Sequence, residues 1–257
     1  MICTRDVSGW ELIYQNAHAR VAADLLRPLR ADLRPAPAGG ADRWDELLYA
    51  TALHDDGWQE WEPGDRRTAL GAPRGFEDTT MADVVAQSER ALGRVRHASL
   101  FAALLVAEHI RSLYRSFDDA GVRSMLKAHV PLRARWRRLL GVTQADVDRH
   151  YALVRWADTL SLHLCARRMP IDALRIEVGP LGDGPPGGPT TFAWQRPDET
   201  VGLDPWPYGL PAVAVRTEAY RLPRLAYPSD ASLAAALTRA PVRPAAWTLR
   251  ADRHTDR

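Results

Sequence analysis

An adjacent imidazole and carboxylate lie in the run Leu53-His54-Asp55-Asp56-Gly57-Trp58, at the end of an apolar stretch with helical spacing. Side chains of that kind can close on one metal ion, which points to a metalloenzyme. His18, His109 and Asp158 each fall on a different expected helix and are spaced to reach the same point. A single histidine is more often a core or surface residue with an ordinary hydrogen-bond partner, so the weight rests on the set. Ala17-His18, Leu53-His54-Asp55 and Ala157-Asp158 place ionisable groups beside apolar neighbours, where an unpaired charge is costly and a shared cation removes the cost. Ligands of this type suit iron, manganese or zinc, as one or two ions, and drawing them from several elements holds the geometry rigid.

The elements that must position these groups are mostly helices. Val21, Leu25, Leu26 and Leu29 recur at helical spacing over Ala17 to Leu29, before a Pro/Gly-rich break. A second helix is expected from near Asp42 to Gly57, with His54 and Asp55 in its last turn. Glu62 to Thr80 reads as a long loop, of the kind that serves as a lid or binding loop. Met81 to Arg94 and Ser99 to Phe117 form an expected helical hairpin, followed by helices over Val122 to Leu140 and Gln144 to Arg168. After Pro170 the pattern changes to strands, expected at Leu174 to Val178, Thr190 to Trp194, Ala212 to Tyr220 and Ala246 to Arg250. A short helix over Asp230 to Arg239 interrupts them behind Ser229. The expectation is therefore a mainly α protein, with a helical metal-binding domain over 1–170 and a small antiparallel β extension over 171–257 walling the site.

Composition narrows the partners. With 34 basic and 32 acidic residues the net charge is +2, which leaves no broad footprint for nucleic acid or an anionic membrane. The basic run Leu132 to Arg138 reads as a solvated helix face. No apolar run spans a bilayer and Met1 to Trp10 carries no signal pattern, so a cytoplasmic protein with a small-molecule substrate is expected, its oligomeric state open. Cys3 and Cys165 stand far apart and suggest neither a disulfide framework nor a thiolate zinc site.

In order and rough spacing, His18, His54-Asp55, His109 and Asp158 resemble the HD-domain superfamily, a helical bundle with an early His, a His-Asp doublet, further His ligands and a late Asp. The chain is similar in particular to a bacterial branch with an H-D-x-G-W motif and a late D-x-L-S-L segment. His54-Asp55-Asp56-Gly57-Trp58 and Asp158-Thr159-Leu160-Ser161-Leu162 match these, as does Asp204-Pro205-Trp206-Pro207-Tyr208 in the tail. The resemblance implies an HD-domain-like bundle and either of two chemistries: phosphohydrolysis, or oxygenation by a di-iron centre of the inositol-oxygenase kind. It also implies a ligand from the helix before His109. His97 is twelve residues from His109, about 18 Å along a helix and close to the hairpin turn, whereas reflection through that turn lands near Asp83.

Where the superfamily often carries Lys or His after H-D-x-G, this chain has Trp58, and with Glu60, Trp61 and Glu62 it makes an aromatic and acidic rim that repels a polyphosphate. Arg66 or Arg67 from the loop is the group that could compensate. The leading expectation is an iron oxygenase acting on a small polar metabolite, with His18, His54, Asp55, Asp83, His109 and Asp158 as metal ligands and Asp55, Asp56 and Trp58 as catalytic residues. The alternative is a phosphohydrolase in which Asp55 or Asp56 assists proton transfer to or from a metal-activated water. A non-catalytic binding module is the third reading.

Overall fold

The computed structural model describes residues 1–58, 66–171, 174–181 and 190–252. The chain opens on two short strands, β1 (Ile2–Asp6) and β2 (Gly9–Ile13), and passes after one residue into helix α1 (Gln15–Leu26). Helices α2 (Trp44–Leu53), α3 (Met81–Val95), α4 (Leu100–Tyr114), α5 (Ala120–Leu140) and α6 (Gln144–Cys165) follow. Their starts are written locally: Thr80, Ser99, Asp119 and Thr143 each accept a hydrogen bond from a backbone N–H of the first turn they precede. Gly141, in the left-handed region, ends α5.

Helix α4 is the central element. Every residue from Phe101 to Ile110 is buried, so this helix is surrounded rather than amphipathic. Helices α2, α3, α5 and α6 pack against it, while α1 lies against α2 and α6. The remaining strands are β3 (Ile176–Pro180), β4 (Thr190–Gln195), β5 (Val201–Asp204), β6 (Ala212–Leu222) and β7 (Val242–Arg250), with α7 (Asp230–Thr238) between the last two. They join β1 and β2 in one seven-stranded sheet of order β1-β2-β6-β7-β5-β4-β3. All neighbours are antiparallel except β5 and β7, which run parallel.

The fold is thus α+β, with about 47% helix and 22% strand, and corrects the expectation of a mainly α bundle carrying a small antiparallel β tail. The difference arises at the N-terminus. Ile2-Cys3-Thr4-Arg5-Asp6 and Gly9-Trp10-Glu11-Leu12-Ile13 are short and half polar, and their sheet neighbour is remote: Trp10 pairs with Leu222 and Leu12 with Tyr220. A pairing of that range leaves no local periodicity to read. The sheet lies on the helices through β6 against α1 and β3 against α6, and one apolar core runs through both layers, including Ile13, Leu25, Leu104, Trp156, Val215 and Leu249. Among the described residues no helix is long and apolar enough to cross a membrane.

Candidate metal centre

Five side chains from four places in the sequence meet beneath the start of α1. His18, His54 and Asp55 present ligand atoms within 4.8 Å of one another, and so do His54, His109 and Asp158. Because His54 belongs to both groups, they form one cluster. His18 Nε2 lies 2.8 Å from Asp55 Oδ2 and 3.7 Å from Asp158 Oδ1. The rings of His18 and His109 stand edge-on to His54, with centroids 5.2 and 4.7 Å away.

Each imidazole is held from behind through Nδ1. Ser161 Oγ donates to the Asp158 carbonyl at 2.9 Å, so at 3.0 Å it accepts the Nδ1 proton of His18. His54 Nδ1 donates to the Thr51 carbonyl at 2.7 Å, within its own helix end. His109 Nδ1 faces the Tyr151 hydroxyl at 3.5 Å. Backing of this kind fixes the tautomer and leaves Nε2 as the nitrogen available to a cation.

The His54 nitrogen is the informative one. Its Nε2 is buried between two carboxylates, 3.2 Å from Asp158 Oδ1 and 3.5 Å from Asp55 Oδ2, and neither contact has the geometry of a well-formed hydrogen bond. Buried polar atoms ordinarily find partners, and an ion shared with the two carboxylates would supply one. The donor set, three imidazoles and two carboxylates, fits a hard-to-borderline divalent metal such as iron, manganese or zinc.

The electrostatics of these side chains agree with that fit. Burial alone would push His54 down, but Asp55 and Asp158 outweigh it and raise the imidazole to about 9. Burial opposes ionisation of Asp55 and Asp158 as well, and the neighbouring imidazoles nonetheless hold both below the ordinary carboxylate range. His109, buried and next to His54, is lowered to about 4 and stays neutral. Asp55 and Asp158 thus stay ionised side by side in a buried site, an arrangement suited to a cation.

Local structure explains why the doublet sits where it does. Helix α2 ends at Leu53, and residues 53–57 turn against α3. Gly57 is required there by packing: a Cβ would come within 1.9 Å of the Gln87 carbonyl oxygen. Arg90 Nε donates to the Gly57 carbonyl at 2.8 Å, pinning the turn. Trp58 folds back so that its indole N–H donates to Asp55 Oδ1 at 3.3 Å.

A pocket of about 320 Å³ opens above the cluster, with His18, Asp55, His109 and Asp158 at its floor. Trp58, Phe76, Met81, Val84, Phe117 and Leu162 make apolar walls. Gln15, one turn before His18, and Thr79 and Tyr114 add neutral polar groups. All of these lining residues belong to residues 15–162, so the strands after Pro170 do not wall this pocket as expected.

Two expected site residues are placed elsewhere. Asp83 is the third residue of α3 and its carboxylate closes the helix start, 3.1 Å from Thr80 N and 2.7 Å from Thr80 Oγ1. It also pairs with Arg74 at 3.4 Å and belongs to neither group of clustered ligand atoms, so the structure does not bring it to the other expected ligands. Asp56 turns outward to Arg94, with Oδ2 3.1 Å from Nη1, and leaves the catalytic position assigned to it. His97 is exposed beyond the end of α3. Arg67 pairs with Asp230 rather than covering the pocket, and Glu60, Trp61 and Glu62 lie outside the described residues. Tyr208, from the Asp204–Tyr208 run, is buried against the helix layer, where Leu29 bridges to it.

Sequence reading gave no role to Thr51, Tyr151 or Gln15, nor to Ser161, which it quoted only as part of the Asp158–Leu162 segment. Ser161 had a usable signal, since it stands three residues after Asp158 and so shares its helix face.

Fold and site together define an α+β protein with a buried cluster of imidazoles and carboxylates opening into an apolar pocket. The chain belongs to the family described as "Protein of unknown function (DUF3891)", which matches residues 1–224. No HD-domain family matches, which overturns the expected membership of that superfamily. Neither a curated protein nor a solved structure matches the chain.

Proposed function

We propose that this protein is a metal-dependent enzyme, an oxygenase whose single divalent ion, iron in first place, is held by His18, His54, His109, Asp55 and Asp158. The observation that carries the reading is the convergence of five ligand-type side chains in two groups that share His54, whose buried Nε2 faces Asp158 Oδ1 at 3.2 Å and Asp55 Oδ2 at 3.5 Å. One ion is favoured over two because both candidate groups share His54 and Asp83 is committed to its helix end. An iron ion there would contribute Lewis acidity and a one-electron redox couple. The chain's own residues do the rest: Ser161 and Tyr151 orient His18 and His109, Trp58 steadies Asp55, and the apolar walls keep bulk water from the substrate.

Phosphohydrolysis is less well supported. That reading needs a carboxylate beside the ion but outside its ligand set to move a proton, and Asp56, the candidate next to the doublet, is turned away to Arg94. The test is reconstitution with ferrous ion without oxygen, elemental analysis, and oxygen uptake with a panel of small organic substrates. One iron per chain, lost in His54→Ala, with substrate-dependent oxygen consumption, is the expected result. Phosphate release from p-nitrophenyl phosphate in the absence of oxygen would overturn the oxygenase assignment, and failure to retain any metal would overturn the whole reading.

A further inference from the structure

The walls of the pocket say more about the substrate than the ligands at its floor. Trp58, Phe76, Tyr114 and Phe117 line it with rings, and Leu113 and Phe117 stand at its mouth 44% and 45% exposed. Leu113 lies four residues after His109 on α4, so an apolar lip and a metal-ligand candidate share one helix face. Large side chains left in water beside a cavity are the kind of surface that a ligand covers.

Charge gives the second constraint. Among the described residues lining the pocket there is no Lys or Arg. Among the described lining residues the charged group outside the cluster is Glu77, and its Arg168 partner, 2.7 Å away, is committed to that pair and does not line the pocket. At the floor two carboxylates balance the charge of a divalent ion, so no surplus positive charge is left to hold a phosphoryl group. Phosphate recognition ordinarily uses guanidinium or ammonium groups or a helix N-terminus; the lining offers neither cation, and of the two helix starts it includes, that of α3 is already closed by Thr80 and Asp83, leaving the start of α1 at Gln15 with no cation beside it.

Resting on the metal-centre reading above, we infer that the substrate is an uncharged molecule with an aromatic or aliphatic body, which fills the ring-lined walls and turns one oxygen donor to the cluster. Gln15 and Thr79 add neutral polar groups to the lining, and Thr79, whose hydroxyl proton goes to the Phe76 carbonyl at 2.5 Å, offers an acceptor to its polar end. This replaces the sequence-based expectation of a small polar metabolite with a less polar class.

Benzyl alcohol and benzyl phosphate, which share a ring and differ in charge, test it by calorimetric titration into full-length protein loaded with zinc. Benzyl alcohol is expected to bind, and benzyl phosphate at least tenfold more weakly. Leu113→Arg, at an exposed position outside the ligand set, is expected to improve benzyl phosphate affinity tenfold or more, because a charge-assisted hydrogen bond contributes about 1.5–3 kcal/mol. Phe117→Arg serves the same purpose if the first variant fails to fold. Equal or tighter binding of benzyl phosphate by the natural chain, or no binding of benzyl alcohol, overturns the inference. Zinc content of the same sample separates the two failures: metal retained with phosphate preferred removes the substrate class alone, whereas metal absent removes the centre.

Discussion

Ser161 offers the sharpest test of how the centre is built. Its side chain is fully buried, and Oγ joins two of the proposed ligand residues at once by accepting from His18 Nδ1 at 3.0 Å and donating to the Asp158 carbonyl at 2.9 Å. Ser161→Ala removes one atom and keeps the helix, so the change is confined to those two bonds. The His18 Nδ1 proton is then buried without an acceptor, which costs about 1–3 kcal/mol, and the ring is free to rotate or change tautomer. Outer-shell substitutions of this type reduce metal affinity about 10- to 100-fold, or roughly 1.4–2.7 kcal/mol. The assay is competition against a chromophoric chelator at fixed pH, with circular dichroism to show that the fold persists. Tyr151→Phe is the internal comparison: its contact to His109 is longer, 3.5 Å, and a smaller loss is expected. If Ser161→Ala binds metal as tightly as the parent, then His18 is not held through Nδ1 in the way described and its place in the ligand set fails.

Other outcomes follow from the same coordinates. Gly57→Ala places a methyl group 1.9 Å from the Gln87 carbonyl oxygen, so thermal melting should show a loss of at least about 2 kcal/mol together with reduced metal content. Metal added at a hundred times its dissociation constant should stabilise the stripped protein by about 2.7 kcal/mol, read as a rise in melting temperature that the His54→Ala variant does not show. Glu108, 2% exposed, bridges Arg111 and Arg133, and Glu108→Ala should cost about 3 kcal/mol in denaturant unfolding because two guanidinium groups lose their counter-charge. Cys165 is buried and its thiol is pushed up to about 12, so iodoacetamide at pH 8 should modify it only after unfolding, as peptide mass analysis would show.

Much of the site was legible because ionisable groups stand out against apolar helices. His18, His54, Asp55, His109 and Asp158 were gathered from spacing, apolar neighbours and the resemblance to the HD-domain pattern, and the structure brings them together even though no HD-domain family matches. Asp83 misled for a reason also present in the sequence: Thr80-Met81-Ala82-Asp83 is a capping-box pattern, and a carboxylate at the third helical position satisfies its own backbone. Asp56 misled because adjacency to a ligand says nothing about direction, and the turn faces it toward Arg94. Ser161 and Tyr151 were overlooked because a residue that acts on a ligand from behind carries no charge to draw attention. In the fold, α4 and α6 were plain from their long apolar patterns, whereas β1 and β2 depend on a partner strand near the other end of the chain.

That long-range pairing has a consequence for how the protein is made. Helix α1, which carries His18, is joined to β2 by a single residue, and β2 has its neighbour in β6. At synthesis rates of about 5–20 residues per second, the N-terminal hairpin waits roughly 10–40 s on the ribosome before Leu222 emerges to meet Trp10. For that interval the hairpin edge facing β6 is unmatched, and α1 lacks the strand that later covers it. Shortening the chain ahead of β6 would make that unfinished state permanent, so truncated forms should gather in the insoluble fraction and hold no metal.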